Sequence, residues 1–402
     1  MMEIDIGRGK KGRRAYGFDD IAIVPSRRTR DPDDIDITWT LGPYRFELPL
    51  IASAMDGVVS PDTAALVNQL GGLGVLNLEG IWCRYEDADE QLKRVAEAPT
   101  HLATEMMQEV YSEPIKPELI GQRITEIKEK GAVACGSLTP QRVRDHYELA
   151  LEAGLDILVI QGTVISAEHV STSVEPLNLK EFIAEVPVPT MVGGCASYST
   201  GLHLMRTGAV GVLVGVGPGA ACTTRGVLGI GVPQATAIAD VAAARSQHML
   251  ETGEYCNVIA DGGMRTGGDV SKAIACGADA VMIGSPLARA KEAPGRGFHW
   301  GMSTFHPSLP RGARVSTAQD GTMEEILLGP AHENDGTFNL MGALRTSMAT
   351  TGYEDIRSFQ RAEVMVAPAL MSEGKALQRE QAVGMGSNGH AGVAKGVVVA
   401  DD

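Results

Sequence analysis

The chain has 402 residues, 48 of them glycine, and a formal net charge of −15 from 50 acidic and 35 basic residues. Its hydrophobic content of 44% excludes a disordered chain, and the glycines follow no period of three, which excludes collagen. The acidic balance argues against nucleic acid as a partner, because such binders carry basic surfaces. No apolar run reaches the ~18 residues of a membrane span, and the N-terminus lacks a signal peptide. We therefore expect a cytoplasmic protein with no membrane partner.

Eight short apolar runs predict buried parallel strands. In four of them a helix-like stretch ends at a glycine just before the run, as helices before buried strands often do. In chain order the runs span 48–53, 71–78, 130–137, 153–162, 188–194, 207–217, 257–263 and 276–285. The clearest helices between them are 141–154 and 232–253, the second with Pro233 near its start. Strands alternating with helices indicate βαβ units, and eight units predict a (β/α)8 TIM barrel.

Two intervals depart from a regular barrel. About sixty residues separate the second and third runs, so extra chain lies at 84–130, where the proline-rich stretch 113–121 predicts an irregular connection. After the eighth run, prolines and glycines over 295–340 predict a mobile flap, with a disordered connector as the alternative. A C-terminal segment, 341–402, follows. We therefore treat 1–402 as one barrel domain.

Ligands of a TIM barrel bind where its strands end. The last two runs end in Asp261-Gly262-Gly263 and Gly284-Ser285, and strand–glycine turns of this kind predict a phosphate cradle. The Asp261 carboxylate is placed to accept hydrogen bonds from two ribose hydroxyls, or alternatively to cap a helix.

The loop from Gly215 to Arg225 is the most informative segment. Its glycine carbonyls are candidate ligands of a monovalent cation, and Cys222 lies among small polar residues where a thiol can become a nucleophile. The other five cysteines show no zinc spacing. We expect Cys135 and Cys276 in the core, Cys83 and Cys256 to be structural or exposed, and leave Cys195, at a strand end, open.

Several blocks resemble the IMP dehydrogenase/GMP reductase family. They are GVGPGAACTTRGVLGIGVPQ (215–234), FDDIAIVPS (18–26), ASAMDG (52–57), ADGGMRTGGDVSKAIACGADAVMIGSPLA (260–288) and LMGALRTSMATTGY (340–353), in the family's order. Family members fold as (β/α)8 barrels. The interval 84–130 is too short for the CBS modules that typical IMP dehydrogenases insert there. The chain therefore resembles the CBS-less, IMP dehydrogenase-related subgroup.

The resemblance implies that the chain oxidises IMP to XMP with NAD, in guanine nucleotide biosynthesis, as a homo-tetramer or octamer. The Cys222 thiolate would attack C2 of the purine, Thr224 would help to position this chemistry, and water would hydrolyse the covalent adduct. The implied substrate residues are Ser53, Met55, Ala220, Asp261, Gly262, Gly263, Gly284, Ser285, His299, Trp300, Gly301 and Met302. The implied cofactor residues are Gln161, Cys195 and Gly215, and the implied potassium ligands are the carbonyls of Gly217, Gly219 and Cys222.

Five positions depart from the family's usual pattern. Ala220 stands where a serine usually reaches the phosphate, and His299 stands in place of a tyrosine. Gln161 replaces the aspartate expected at the cofactor carboxamide, and Cys195 replaces an asparagine. The flap's Arg-Tyr pair is absent, which leaves Arg311 as the candidate that activates water.

Two other functions stay open at this point. GMP reductase uses the same cysteine but adds hydride from NADPH to GMP and expels ammonia. Its loop usually has a lysine soon after CTTR and ends in GYPQ, whereas this chain has no such lysine and reads GVPQ. A non-catalytic purine-nucleotide sensor is the third candidate, because the cofactor positions are altered. The intact Cys222-Thr223-Thr224 argues against the sensor, and the flap favours dehydrogenation.

Overall fold

The structure, a computed structural model, describes residues 3–172 and 176–389. Five short strands precede the barrel. They are β1 (Glu3–Gly7), β2 (Lys10–Arg13), β3 (Ile21–Ile23), β4 (Trp39–Leu41) and β5 (Tyr44–Phe46). β1 and β2 form an exposed antiparallel hairpin, and β4 pairs with β5 in a second one. Trp39, Leu41 and Phe46 of the second hairpin pack into the barrel's interior cluster, so this hairpin closes one end of the barrel.

Eight parallel strands close into the predicted TIM barrel. They are β6 (Leu50–Ala52), β7 (Leu73–Asn77), β8 (Cys135–Leu138), β9 (Ile157–Gln161), β10 (Thr190–Cys195), β11 (Gly211–Val214), β12 (Asn257–Asp261) and β13 (Ala280–Ile283). Neighbours in the chain are neighbours in the barrel, and β13 pairs with β6 to close it. Every predicted apolar run overlaps one of these strands, and only β8 and β10 extend beyond their runs, each by one residue. The fold prediction is therefore confirmed.

Side chains of the barrel strands alternate between two cores. Inward-facing residues such as Ile51, Val159 and Leu213 form the interior cluster. Their neighbours, such as Ile160 and Val212, belong to the larger core between the strands and the helices. Successive side chains of a strand point to opposite faces of the sheet. Because both faces of this parallel sheet are buried, most positions are apolar and each strand lies in a nearly continuous apolar run in the sequence.

Helices cover the outside of the barrel. They are α1 (Pro61–Gln69), α2 (Ala88–Glu97), α3 (Ala103–Val110), α4 (Pro117–Glu129), α5 (Val143–Glu152), α6 (Leu179–Glu185), α7 (Tyr198–Met205), α8 (Thr224–Leu228), α9 (Gln234–Thr252), α10 (Gly267–Ala275) and α11 (Ser285–Ala288). The two clearest helix predictions correspond to α5 and α9. Pro233 is the N-cap of α9, and Gly253 in the left-handed conformation ends it.

The interval 84–130 is mostly helical, and the prediction of an irregular connection at 113–121 is wrong over its second half. Pro117 is the first residue of α4, where a missing N–H leaves no helical hydrogen bond unmade. Sequence reasoning took this proline as a breaker, although it begins a helix. Together α2, α3 and α4 build a compact insertion beside the barrel mouth.

The chain after β13 leaves the barrel and returns to it. Its elements are β14 (Phe298–His299), β15 (Val315–Ser316), α12 (Met323–Leu327), α13 (Leu340–Thr350), α14 (Ile356–Phe359), β16 (Val364–Val366) and α15 (Ala376–Glu380). α13 packs on α10 so closely that Gly267 has no room for a Cβ against Ala343. The segment 295–340 connects the eighth barrel strand to α13 across the barrel mouth. Its mobility stays a prediction. Residues 390–402 of the predicted C-terminal segment lie outside the described residues.

Candidate active site

A cavity of about 820 Å³ opens at the carboxyl ends of the barrel strands. Loops that follow five of the barrel strands line it, together with the segment after β13 that crosses the mouth. Seventeen of the twenty site residues predicted from the sequence meet there: Ser53, Met55, Gln161, Gly215, Gly217, Gly219, Ala220, Cys222, Asp261, Gly262, Gly263, Gly284, Ser285, His299, Gly301, Met302 and Arg311.

Cys222 lies on the loop between β11 and α8, facing the cavity. The loop turns tightly there, and the Cys222 amide donates to the Gly219 carbonyl at 3.0 Å. The Cys222 Sγ lies 3.2 Å from the hydroxyl of Thr224, which is buried as the first residue of α8. Gly217 has a positive φ of 76°, which glycine adopts without strain. The thiol is thus held beside a hydroxyl partner, at the edge of the cavity.

The remaining cysteines lie in apolar surroundings and do not line the cavity. Cys83, Cys135 and Cys256 are buried, and burial raises the pKa of each thiol far above its ordinary value. Burial also raises the pKa of Cys195 and of Cys276 to about 12. A thiolate is the reactive form, so these five are poor nucleophiles.

The segment after β14 docks directly on the cysteine loop. The Thr223 amide donates to the Arg311 carbonyl at 3.2 Å, and the Ala313 amide donates to the Ala221 carbonyl at 2.8 Å. The residue between them must be glycine, Gly312, because a Cβ at this position would collide with the side chain of Thr304. This antiparallel contact fixes Arg311 at the cavity wall next to Cys222.

The two arginines of this segment point in different directions. Arg311 lines this cavity and also a second, adjoining one that is described below. Its Nε is buried with no hydrogen-bond partner among the described residues. Arg314 instead donates to the backbone carbonyls of Val95 and Ala96 at the end of α2, and its guanidinium lies over the Phe298 ring. Only Arg311 is therefore placed to act on a bound ligand.

The glycine turns after β12 and β13 form one end of the cavity. Gly262 and Gly263 have φ of 79° and 83°, so both adopt a conformation that favours glycine. The Ser285 hydroxyl lies 2.7 Å from Nε2 of His299. His299 is fully buried, and burial lowers its pKa to about 4. Its imidazole is therefore neutral at pH 7, with Nδ1 unpartnered among the described residues.

Asp261 ends β12 with its carboxylate in the cavity. Burial raises the pKa of this carboxyl to about 7, although a hydrogen bond from the Gln161 amide at 3.2 Å favours the charged form. Gln161 therefore lines the cavity with its amide nitrogen directed at Asp261. Gly215 lies against the Asp261 carbonyl, where a Cβ would collide. The ends of β9, β11 and β12 thus meet closely at this point.

Gln234 is a cavity residue that sequence reasoning missed. It is the first residue of α9, it is buried, and its Nε2 donates to the carbonyls of Val214 at 2.6 Å and Asp261 at 3.1 Å. The Oε1 of Gln234 is buried and has no partner among the described residues. The residue itself lines the cavity. The sequence feature that points to Gln234 is GVPQ, which follows the cysteine loop and was used above only to tell this chain from GMP reductase.

A second cavity of about 560 Å³ adjoins the first. Sequence reasoning did not predict it. The two share a wall made by Gly162, Thr163, Met302, Ser303 and Arg311. Across this wall the hydroxyls of Thr163 and Ser303 lie 3.1 Å apart. The far lining includes Asn77, Glu79, Arg84, Thr139, Phe305 and His306.

Two predicted ligand residues do not reach either cavity. Trp300 is 1% exposed, and its indole donates to the Tyr111 hydroxyl at 2.7 Å, on the side of the insertion. Cys195 is buried in the core between strands and helices. The register of β10 shifts between Gly193 and Cys195, and a one-residue shift turns a side chain to the other face. Their predicted contacts with substrate and cofactor are therefore wrong.

Neither a cluster of metal-binding side chains nor a membrane span is found in the part of the chain that the structure describes. No three His, Cys, Asp or Glu residues there converge as a metal site would require. None of the described helices combines the length and the apolar character that crossing a bilayer requires. A cation at the cysteine loop would therefore rely on backbone carbonyls.

A (β/α)8 barrel with a partly exposed cysteine and glycine turns at its mouth defines an enzyme-like cavity. The chain matches the family model described as the IMP dehydrogenase / GMP reductase domain over residues 15–377. It belongs to this family. The resemblance seen in the sequence is thereby confirmed.

Individual relatives agree with this assignment. The chain is 46% identical to an uncharacterised oxidoreductase of Mycolicibacterium smegmatis over 90% of this chain and 99% of that protein. It is 26% identical to the inosine-5′-monophosphate dehydrogenase of Methanocaldococcus jannaschii, over 87% of this chain and 92% of that protein. A crystal structure of an IMP dehydrogenase/GMP reductase-like protein from Corynebacterium glutamicum superposes with a TM-score of 0.87 at 45% identity, covering 91% and 98% of the two chains. The chain is thus an oxidoreductase of this family.

Proposed function

We propose that this oxidoreductase acts on purine nucleotides through a covalent bond to Cys222, and that it oxidises IMP to XMP with NAD. The observation that carries the proposal is the position of Cys222. It is the one described cysteine that lines the cavity, it lies 3.2 Å from the Thr224 hydroxyl, and the strand-like segment that presents Arg311 is hydrogen-bonded to its loop.

The cavity offers a matching group for each part of IMP. The turns at Gly262, Gly263 and Gly284 with the Ser285 hydroxyl suit the phosphate, and Asp261 suits the ribose hydroxyls. Ala220 leaves one phosphate hydrogen bond unmade, worth about 1.5–3 kcal/mol for a charged acceptor. Ser53, Met55, Gly301 and Met302 line the remaining space around the base, and the neutral His299 supports Ser285.

The reaction then follows from the thiol. The Cys222 thiolate attacks C2 of the purine, the C2 hydride leaves, and a thioimidate on Cys222 remains. Water attacks C2 of this adduct and loses a proton to solvent, the carbon–sulfur bond breaks, and XMP and the thiolate are released. Thr224 holds the sulfur, and Arg311 is the cavity group next to Cys222 that can orient the attacking water.

The hydride acceptor would be NAD, which supplies the oxidising power of the reaction. Gln161 and Gly215 line the first cavity and fit this role, whereas the buried Cys195 does not. The second cavity provides the additional volume that a dinucleotide needs. The carbonyls of Gly217, Gly219 and Cys222 lie on one loop and would be the potassium ligands, and the Gly219 oxygen keeps a second lone pair beside its bond to the Cys222 amide.

Reduction of GMP to IMP is the second candidate, and a specific observation favours it. A water-activating base must accept a proton, but a guanidinium such as that of Arg311 stays protonated. The first cavity's described lining contains neither tyrosine nor glutamate. GMP reduction releases ammonia and needs no activated water, so this lining would not limit it.

One pair of assays decides between the reactions. Protein with IMP, NAD and potassium should form NADH, whereas consumption of NADPH on GMP alone would favour the second candidate. Cys222→Ala should abolish either turnover and keep nucleotide binding, and mass spectrometry of the wild type should find the purine adduct on the Cys222 peptide. Cys276→Ala is the matched control, because this half-exposed thiol lies outside both cavities and should retain full activity. Nucleotide binding without either reaction would leave a sensor, and would refute the proposal.

A further inference from the structure

The insertion between β7 and β8 delivers one aromatic side chain to the barrel mouth. Tyr111 directly follows α3 and is 7% exposed. Its hydroxyl accepts a hydrogen bond from the Trp300 indole at 2.7 Å and donates one to the Asp56 carboxylate. These three residues, which we term the Tyr111 cluster, connect the insertion, the loop after β6 and the segment after β14.

Asp56 anchors the cluster. It follows Met55, which lines the first cavity, and is 1% exposed. One carboxylate oxygen accepts from the Ile81 amide at 3.1 Å as well as from Tyr111. The other oxygen lies against Gly80, where a Cβ would collide with it. Burying a carboxylate costs free energy of folding, and the nucleotide chemistry proposed above makes no use of Asp56.

Tyr111 holds the segment 300–305 at both ends. At one end its hydroxyl binds Trp300. At the other its ring stacks on Phe305 with centroids 3.5 Å apart and planes inclined by 4°. Between these anchors lie Met302 and Ser303, which line both cavities. The wall shared by the two cavities is therefore fixed from the side of the insertion.

We propose that Tyr111 is a positioning residue that fixes the wall between the two cavities through Trp300 and Phe305, so that nucleotide binding depends on a hydroxyl that touches no ligand. The identity of the ligand rests on the function proposed above. The rigidity of the wall does not, and it can be measured without any ligand.

The test uses Tyr111→Phe, which removes the hydroxyl and keeps the ring that stacks on Phe305. Tyr85→Phe is the control, because it removes a tyrosine hydroxyl of the insertion whose hydrogen bond goes to the Val110 carbonyl at 2.9 Å, on the insertion itself, and not to the segment 300–305. Hydrogen exchange of the ligand-free protein reports on peptides covering 300–305. Calorimetry with IMP and with GMP reports on affinity.

Tyr111→Phe should speed exchange in 300–305 and weaken nucleotide binding about five- to tenfold, the size of the one hydrogen bond, from Trp300, that ties the hydroxyl to this segment. In a turnover assay KM should rise by the same factor, with kcat changed less. Tyr85→Phe should lose less global stability, because one hydrogen bond is removed instead of two, and it should leave the exchange of 300–305 and the affinity unchanged. Equal effects of both variants, or wild-type exchange in Tyr111→Phe, would overturn the proposal.

A second variant covers the case in which Tyr111→Phe does not fold. Trp300→Phe removes the donor and leaves the bond between Asp56 and Tyr111 in place, and it should speed exchange in 300–305 in the same way. Unchanged exchange in this variant would also overturn the proposal. If wild-type protein binds neither IMP nor GMP, the proposed function fails, whereas the exchange data still decide the role of Tyr111.

Discussion

Nucleotide binding should weaken as the pH falls through 7, because of Asp261. Burial at the end of β12 raises the pKa of this carboxyl to about 7, and the amide of Gln161 only partly opposes the shift. Two ribose hydroxyls can donate to a carboxylate, whereas a protonated carboxyl carries a hydrogen of its own and accepts less well. The form that binds the sugar is therefore the ionised one, and binding near pH 6 must first release a proton.

The expected size follows from the fraction of ionised Asp261. With a pKa of about 7, roughly 90% of the carboxyl is ionised at pH 8 and roughly 10% at pH 6, so affinity should fall about tenfold, or ~1.4 kcal/mol. His299 does not contribute in this window, because its pKa lies at about 4.

Calorimetry with the nucleoside inosine between pH 8 and 6 measures this effect. A nucleotide is less suitable, because the second pKa of a phosphate monoester, ~6, titrates in the same range. Asp261→Asn keeps an acceptor of similar size and should bind weakly, with no dependence on pH. A flat profile for the wild type, or the same slope in Asp261→Asn, would refute the reasoning.

The remaining predictions concern stability and the cysteine loop. The pKa of Asp261 is about 7 in the folded protein and ~4 in the unfolded chain, so ionising this carboxyl costs the folded protein up to about 4 kcal/mol as the pH rises. Asp261→Asn removes this cost and should therefore raise the melting temperature at pH 8 more than at pH 5. Gly312→Ala should lower turnover at least tenfold, because its Cβ collides with Thr304 and separates Arg311 from the cysteine loop; normal turnover would contradict this contact. Arg245→Ala should cost about 3–5 kcal/mol in urea unfolding, since it leaves its buried ion-pair partner uncompensated. The exposed Arg206→Ala should cost far less in the same measurement, because water screens its ion pair, and equal losses would refute the difference.

The barrel was predictable because its signals are local. Each strand lies in a short apolar run, four of these runs follow a glycine that ends a helix, and the alternation with helices leaves few topologies open. Most of the cavity followed in turn, since parallel strands bring residues such as Gly217, Asp261 and Ser285 to one end of the barrel whatever their separation in the chain. That step needs only the strand boundaries.

The errors occurred where a side chain's direction depends on distant partners. Trp300 lies beside cavity residues in sequence, but its indole turns away to Tyr111, which is 189 positions earlier and on the insertion. Cys195 ends its strand as expected, but the register shift in β10 turns it outward. Neither event leaves a mark in the local pattern. The second cavity was missed for the same reason, because residues from the insertion side, the barrel and the segment after β14 build it together.

The charges of the first cavity bear on how an acidic chain can hold a phosphate. Its charged lining residues are Arg225, Arg265 and Arg311 against Asp19, Asp20, Asp261 and Asp269, so the cavity has no excess of basic side chains. His299 adds none, because its burial keeps it neutral. In the proposed function, phosphate binding would then rely on the backbone N–H groups of Gly263 and Gly284 and on the Ser285 hydroxyl, because the Gly262 N–H already donates to the Met282 carbonyl at 3.1 Å. Backbone donors of this kind add no net charge, which reconciles a chain at −15 with an anionic substrate and gives its abundant glycines a specific use.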